Sequence, residues 1–210
     1  MPLDGDLHYA TFAGVPQVTP RRFLGQRDVP LDAEGESQAR RLGAALVGVP
    51  FDSALCSDLV RARETARLIL AGSPASASPT PLLREIALGE WEGLTVAGVR
   101  ENFPGEYERR GRDMAGYRPA GGESFRDVQA RAAAFLRSLD SCTGSLLAVA
   151  HGGFNRALLC LVAGLDLAEL FSLDQDYCGV NILERSSGRW TVCEVNLCLW
   201  EAGTPDAVSV

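Results

Sequence analysis

Residues 145–158 read SLLAVAHGGFNRAL, and the fold turns on this stretch. After its first residue the run Ser145–Ala150 is apolar at every position, which marks a strand buried on both faces. Strands of that kind belong to parallel sheets with helices on each side. The run stops at His151-Gly152-Gly153, where the strand hands over to the start of a helix. A helix start directs free N–H groups and the positive end of its dipole outward, so this junction suits an anion.

Outward from that junction, strands and helices alternate. Leu7–Ala13 reads as a second apolar strand. Leu31–Leu46 has an acidic first turn and apolar Ala39, Leu42 and Leu46 at helical spacing, and Asp58–Leu70 repeats the pattern. Ser124–Leu139 does so too, with Ser124 as N-cap and Asp127 at the third helical position, a variant of the capping box. Ala71–Pro81 reads as a Pro/Ser/Ala loop, and Ala202–Val210 as a frayed tail. Val180–Arg185 and Trp190–Leu199 flank Ser186-Ser-Gly and read as a hairpin. The expected architecture is a single α/β domain over residues 1–210. It is a three-layer α/β/α sandwich with a mostly parallel sheet and one antiparallel strand.

Composition narrows the chemistry. The chain has 210 residues, 46% hydrophobic and 22% charged, enough for one substantial core. A formal charge of −7 leaves no net positive field for nucleic acid. Every basic residue is an arginine, so Schiff-base, pyridoxal and P-loop lysines are excluded. The six cysteines form no C-x-x-C pair and the two histidines, His8 and His151, are far apart in sequence, so neither a metal nor a cofactor is expected. Cys56, Cys160 and Cys193 stand in apolar contexts and read as buried thiols. The N-terminus lacks the basic flank and apolar run of a signal peptide, and no stretch approaches the roughly 20 apolar residues of a membrane span. A cytoplasmic protein is expected, with no membrane or nucleic-acid partner.

Five segments in order resemble the histidine phosphatase superfamily in its phosphoglycerate-mutase-like branch. They are RFLGQRDVPLDAEGESQA at 22–39, SDLVRARETA at 57–66, LREIALGEWEGL at 83–94, GGESF at 121–125 and AHGGFNRAL at 150–158. The resemblance implies that Arg61 binds phosphate, that Glu85 serves as general acid, and that His151 is the second active-site histidine. Phosphoryl transfer spreads negative charge over equatorial oxygens. Arg61, His151 and the N–H groups from Gly152 onward are the kinds of donor that such charge requires. Glu85 has the chemistry to protonate a departing alkoxide. The short stretch between Glu92 and Gly121 looks more like the small phosphatases than the mutases.

The pattern breaks at its first motif. The superfamily opens with a strand ending in R-H-G-E, whose histidine attacks phosphorus. Counting back without a gap from Arg22 puts Thr11-Phe12-Ala13-Gly14 on that motif, with Phe12 at the nucleophile position and His8 four residues too early. The leading expectation is a diverged relative that keeps half of a phosphate pocket and binds a phosphorylated small molecule or a protein partner. A working phosphomonoesterase using His151 or a shifted His8 is the alternative. A structural role, with Phe12, Trp91 and Phe154 forming an apolar patch over the old pocket, is a third reading. A homodimer stays open.

Overall fold

The computed structural model describes residues 21–199 in full and residues 6–11 along the backbone. Its sheet contains β1 (Asp6–Thr11), β2 (Ser53–Ser57), β3 (Ser78–Thr80), β4 (Leu146–Val149), β5 (Val180–Ser186) and β6 (Arg189–Leu197). They lie in the order β3-β2-β4-β1-β5-β6. The first four are mutually parallel, β5 is antiparallel to β1, and β6 is antiparallel to β5. Only β5 therefore runs against the rest, as the sequence implies.

The four residues of β4 are all buried, and their alternation divides the interior in two. Leu146 and Ala148 join a core with Phe135, Leu136, Phe154, Ala157 and Leu158. Leu147 and Val149 join another with Ala39, Leu42, Ala62, Ala66 and Ile69. The first core is covered by α5 (Phe125–Ser138) and α6 (Gly152–Ala163), the second by α1 (Ala33–Ala45) and α2 (Val60–Ile69). The helix starts follow the sequence signals: the Asp32 side chain accepts from Gly35 N at 2.7 Å, and Ser124 and Asp127 close a reciprocal capping box. The β5–β6 turn is the two-residue Ser187-Gly188, both at positive φ, since Ser186 already pairs with Arg189. No helix among the described residues is long and apolar enough to cross a membrane.

Several expectations need correction. The loop at 71–81 contains β3, whose Pro79 is tolerated because the strand lies at the sheet edge. The short stretch after Glu92, in which sequence reading marks no element, adds two short helices, α3 (Val96–Asn102) and α4 (Glu106–Arg112), to the expected architecture without contradicting it. Cys193 is exposed, because β6 is the opposite edge strand and this residue faces outward; Cys178 is buried instead. Trp91 and Phe154 are core residues at 1% and 0% exposure, so they form no surface patch. The proposed end of the first strand at Phe12 and Ala13, and the tail from 202 onward, lie outside the described residues.

Candidate active site

The carboxyl ends of β1, β2 and β4 meet at one edge of the sheet. Thr11, the last residue of β1, pairs with Val149, the last of β4. Two residues beyond Val149, His151 is the N-cap of α6, in extended conformation and with no capping bond from its side chain. Beyond β2, Ser57 leads through Asp58 and Leu59 into α2, which carries Arg61 in its first turn. Two strand-to-helix junctions thus deliver a histidine and an arginine to the same edge. In open α/β sheets this edge is where ligands bind.

Glu85 arrives from a loop instead. Its Oε2 accepts from Gly153 N at 3.1 Å, on the first turn of α6, and its Oε1 accepts from Ile86 N at 2.8 Å. A Cβ at residue 153 would run into Glu85 Oε1, so the close approach requires glycine there. The carboxylate therefore lies at the positive end of α6, the helix that His151 caps.

Arg61 is 6% exposed, and its guanidinium donates to Arg27 O and Gly25 O, both at 2.8 Å. Burial pulls it below its ordinary pKa, while the charges of Glu85, Asp28, Glu92 and Tyr177 act the other way. The same loop is held from several sides. Gln26 N donates to Glu92 Oε1 at 2.8 Å, Gln26 Nε2 donates to Glu85 O at 2.9 Å, and Asp28 Oδ1 accepts from Val60 N at 2.7 Å. Arg84 grips Asp58 with two bonds, at 2.7 and 2.6 Å, and the hydrogen bond from Arg84 holds the Asp58 carboxyl below its usual range.

His151 is 4% exposed, and its Nε2 has no hydrogen-bond partner. Burial first, then the charges of Arg61 and Arg131, holds its imidazole well below its ordinary pKa. At neutral pH the ring is uncharged, so it offers one donor and one acceptor rather than a cation. One turn along α6, both polar atoms of the buried Asn155 amide also lack a partner. Arg156 ties the start of α6 to the segment before β5, donating to Leu173 O at 2.9 Å and Gly152 O at 3.4 Å.

The structure brings Glu85 and Gly152–Gly153 together at the start of α6, with Arg61 close enough for its charge to act on both Glu85 and His151. His8 lies elsewhere. It sits within β1 opposite Leu146 and Leu183, three positions before Thr11, or about 10 Å along the strand. Phe12 and Ala13 are outside the described residues, so a pocket floor at Phe12 is not part of this geometry. Sequence reading did not single out Gln26, Asp28, Arg84 or Arg156, although all four lie inside segments it quoted. Their signal is a polar side chain beside a backbone turn, which looks like solvated surface until the partner is known. Chemically, the edge offers a buried cation, helix N–H groups, a neutral imidazole and a carboxyl group. That set can bind a tetrahedral oxyanion and give it a proton.

The pattern of the histidine phosphatase superfamily (branch 1) matches residues 15–197, and the chain belongs to this superfamily. The match begins downstream of Thr11–Ala13. Among curated relatives, the chain is 33% identical over 167 residues to 2,3-bisphosphoglycerate-dependent phosphoglycerate mutase 2 of Gloeobacter violaceus, covering 75% of each protein. It is 32% identical over 151 residues to the adenosylcobalamin/alpha-ribazole phosphatase of Salmonella typhimurium, covering 71% of this chain and 75% of that one. Among solved structures it is similar to Bacillus stearothermophilus YhfR, at 32% identity and a TM-score of 0.82 over 90% of this chain and 95% of the other. Fold and sequence agree on the superfamily.

Proposed function

We propose that this chain binds a phosphomonoester at the carboxyl edge of its sheet and turns it over weakly or not at all through a phosphohistidine. In this reading Arg61, His151 and Gly152 hold the phosphate, and Glu85 and His151 are the groups left for proton transfer. The ligand is a phosphorylated small molecule, with a protein partner as the alternative. The observation that carries the reading is the sequence run Thr11-Phe12-Ala13, at the place where the resemblance sets the R-H-G of the first motif. Phenylalanine has no lone pair to give phosphorus, and loss of a nucleophile costs on the order of 10⁴ to 10⁶ in turnover. Threonine in place of the motif's arginine removes a charge-assisted contact of roughly 1.5 to 3 kcal/mol.

One observation favours a second reading. The buried, unpartnered Nε2 of His151 lies within reach of the Arg61 charge, and in the tautomer with its proton on Nδ1 it has a lone pair to give phosphorus, which supports a working phosphomonoesterase with His151 as nucleophile. A nucleophilic His8 would need β1 to slip by several residues against both neighbours. The test combines calorimetry with orthophosphate and hydrolysis of p-nitrophenyl phosphate. The expected result is saturable phosphate binding that Arg61→Met weakens, with turnover far below that of an intact relative and no acid-labile phosphohistidine. Robust turnover that His151→Ala abolishes and Phe12→Ala leaves unchanged would replace the first reading with the second.

A further inference from the structure

Arg131 lies on α5, outside every segment that resembles a site motif, yet its guanidinium is committed to the loop that carries Glu85. Its Nη1 donates to Leu82 O at 3.0 Å and Arg84 O at 2.6 Å. Its Nη2 donates to Glu85 O at 3.3 Å and Glu123 Oε2 at 3.0 Å, and its Nε to Glu123 Oε1 at 3.2 Å. A guanidinium has five N–H groups, and these bonds use them all. The pair is inside the protein, with side-chain exposures of 14% for Arg131 and 23% for Glu123. Glu123 continues the clamp: its Oε2 accepts from Ala87 N at 2.9 Å, and its own N donates to Ala87 O at 2.8 Å. On its other side the Arg131 guanidinium stands over the Phe154 ring, 5.5 Å from the centroid, in the first turn of α6.

We propose that Arg131 is a positioning residue of the phosphate pocket: it locks the 82–87 loop against α6, and so holds the Glu85 carboxylate on Gly153 N. The inference rests on the reading of Glu85 as proton donor for its functional meaning, though not for its geometry. The three carbonyls that Arg131 gathers come from one short connection, which opens on a single 3₁₀ turn (Pro81–Leu83) and runs on through Arg84 and Glu85 without helix or strand. Without that fork, Gln26 Nε2 is the one donor among the described residues that would still hold the Glu85 carbonyl from outside the loop. A lysine could keep the charge but offers three donors from a point, and so cannot span three carbonyls and a carboxylate together.

The Gly153 amide reads the proposal directly, whatever the turnover. In the full-length protein, Glu85→Ala defines the released amide, by its ¹H–¹⁵N shift and its hydrogen-exchange rate. Arg131→Lys is expected to move the Gly153 shift at least halfway to that position. It should also speed exchange at Gly153 about tenfold, the scale of a lost charge-assisted hydrogen bond. Glu123→Gln, which keeps the volume and loosens the hold on Arg131, should give a smaller change in the same direction, and it serves if Arg131→Lys does not fold. Folded variants whose melting temperatures fall while the Gly153 amide stays as in the parent would overturn the positioning role. Hydrolysis of an alkyl phosphomonoester separates the two readings. If Glu85→Ala leaves it unchanged while Arg131→Lys still shifts the amide, the proton-donor reading fails and the positioning stands.

Discussion

His151 and Arg61 share a buried edge where like charges are costly, and the imidazole responds by staying neutral. An arriving phosphate dianion would reverse that balance, since it pairs with Arg61 and favours a proton on the ring. Stability carries the same signature. The unfolded chain takes up a proton on this histidine below about pH 6.5, while the folded chain resists it, so the unfolded state binds more protons there. Stability is therefore highest above that pH and falls on acidification, by at most about 1.4 kcal/mol per pH unit from this group. Urea unfolding from pH 7.5 to 5.0 should show that slope in the parent and a shallower one in His151→Asn. Equal slopes would assign the acid sensitivity to other groups.

Among the elements, legibility follows how local the cause is. The helices α1 and α5 are written in their caps, and β4 in four consecutive apolar residues, because each pattern lies within one turn or one strand. The strand β3 and helices α3 and α4 are harder to read, although α3 has a cap, with Thr95 accepting from Gly98 N at 3.0 Å, and α4 an acidic first turn and a basic last one. β3 is three residues long and includes a proline, and its existence depends on pairing with β2; α3 and α4 are seven residues each, too short for a helical stripe to emerge. The outward turn of Cys193 likewise depends on β6 being an edge, a property of the sheet rather than of the strand. Where the cause is local, the consequence of removing it is local too. Ser124 accepts from Asp127 N at 3.3 Å while Asp127 Oδ2 accepts from Ser124 N at 2.8 Å, so Ser124→Ala opens one half of the box. The expected cost is about 1 kcal/mol, seen as a fall of about 2–4 °C in melting temperature with the fold retained.

At the scale of the whole molecule, the site is assembled by topology from distant parts, and this decides how much of it the sequence discloses. Arg61 and His151 stand at strand-to-helix junctions whose local pattern marks them, whereas the direction of Glu85 depends on Gln26 and Arg131, 59 and 46 residues away along the chain. What the chain has at residues 11–13 is plain in the sequence, yet its effect depends on whether the remaining groups stay in register for in-line transfer. Installing the superfamily's first motif there tests that. On the proposed reading, Thr11→Arg, Phe12→His and Ala13→Gly together would supply the guanidinium and imidazole of that motif at residues 11 and 12, the last of β1 and the next in the chain; β1 pairs with the strand leading to His151. If Arg61, Glu85 and His151 keep their places, positioning and charge stabilisation are already present and only the attacking group was lacking. Hydrolysis of p-nitrophenyl phosphate should then rise by at least about 10²-fold, a low floor against the roughly 10⁴ that nucleophile loss costs. Thermal melting must show the triple variant folded. The gain should vanish when His151→Ala is added, because the second histidine belongs to the same transfer. A folded triple variant with no gain would mean that the pocket has drifted as a unit, and that its use is binding rather than turnover.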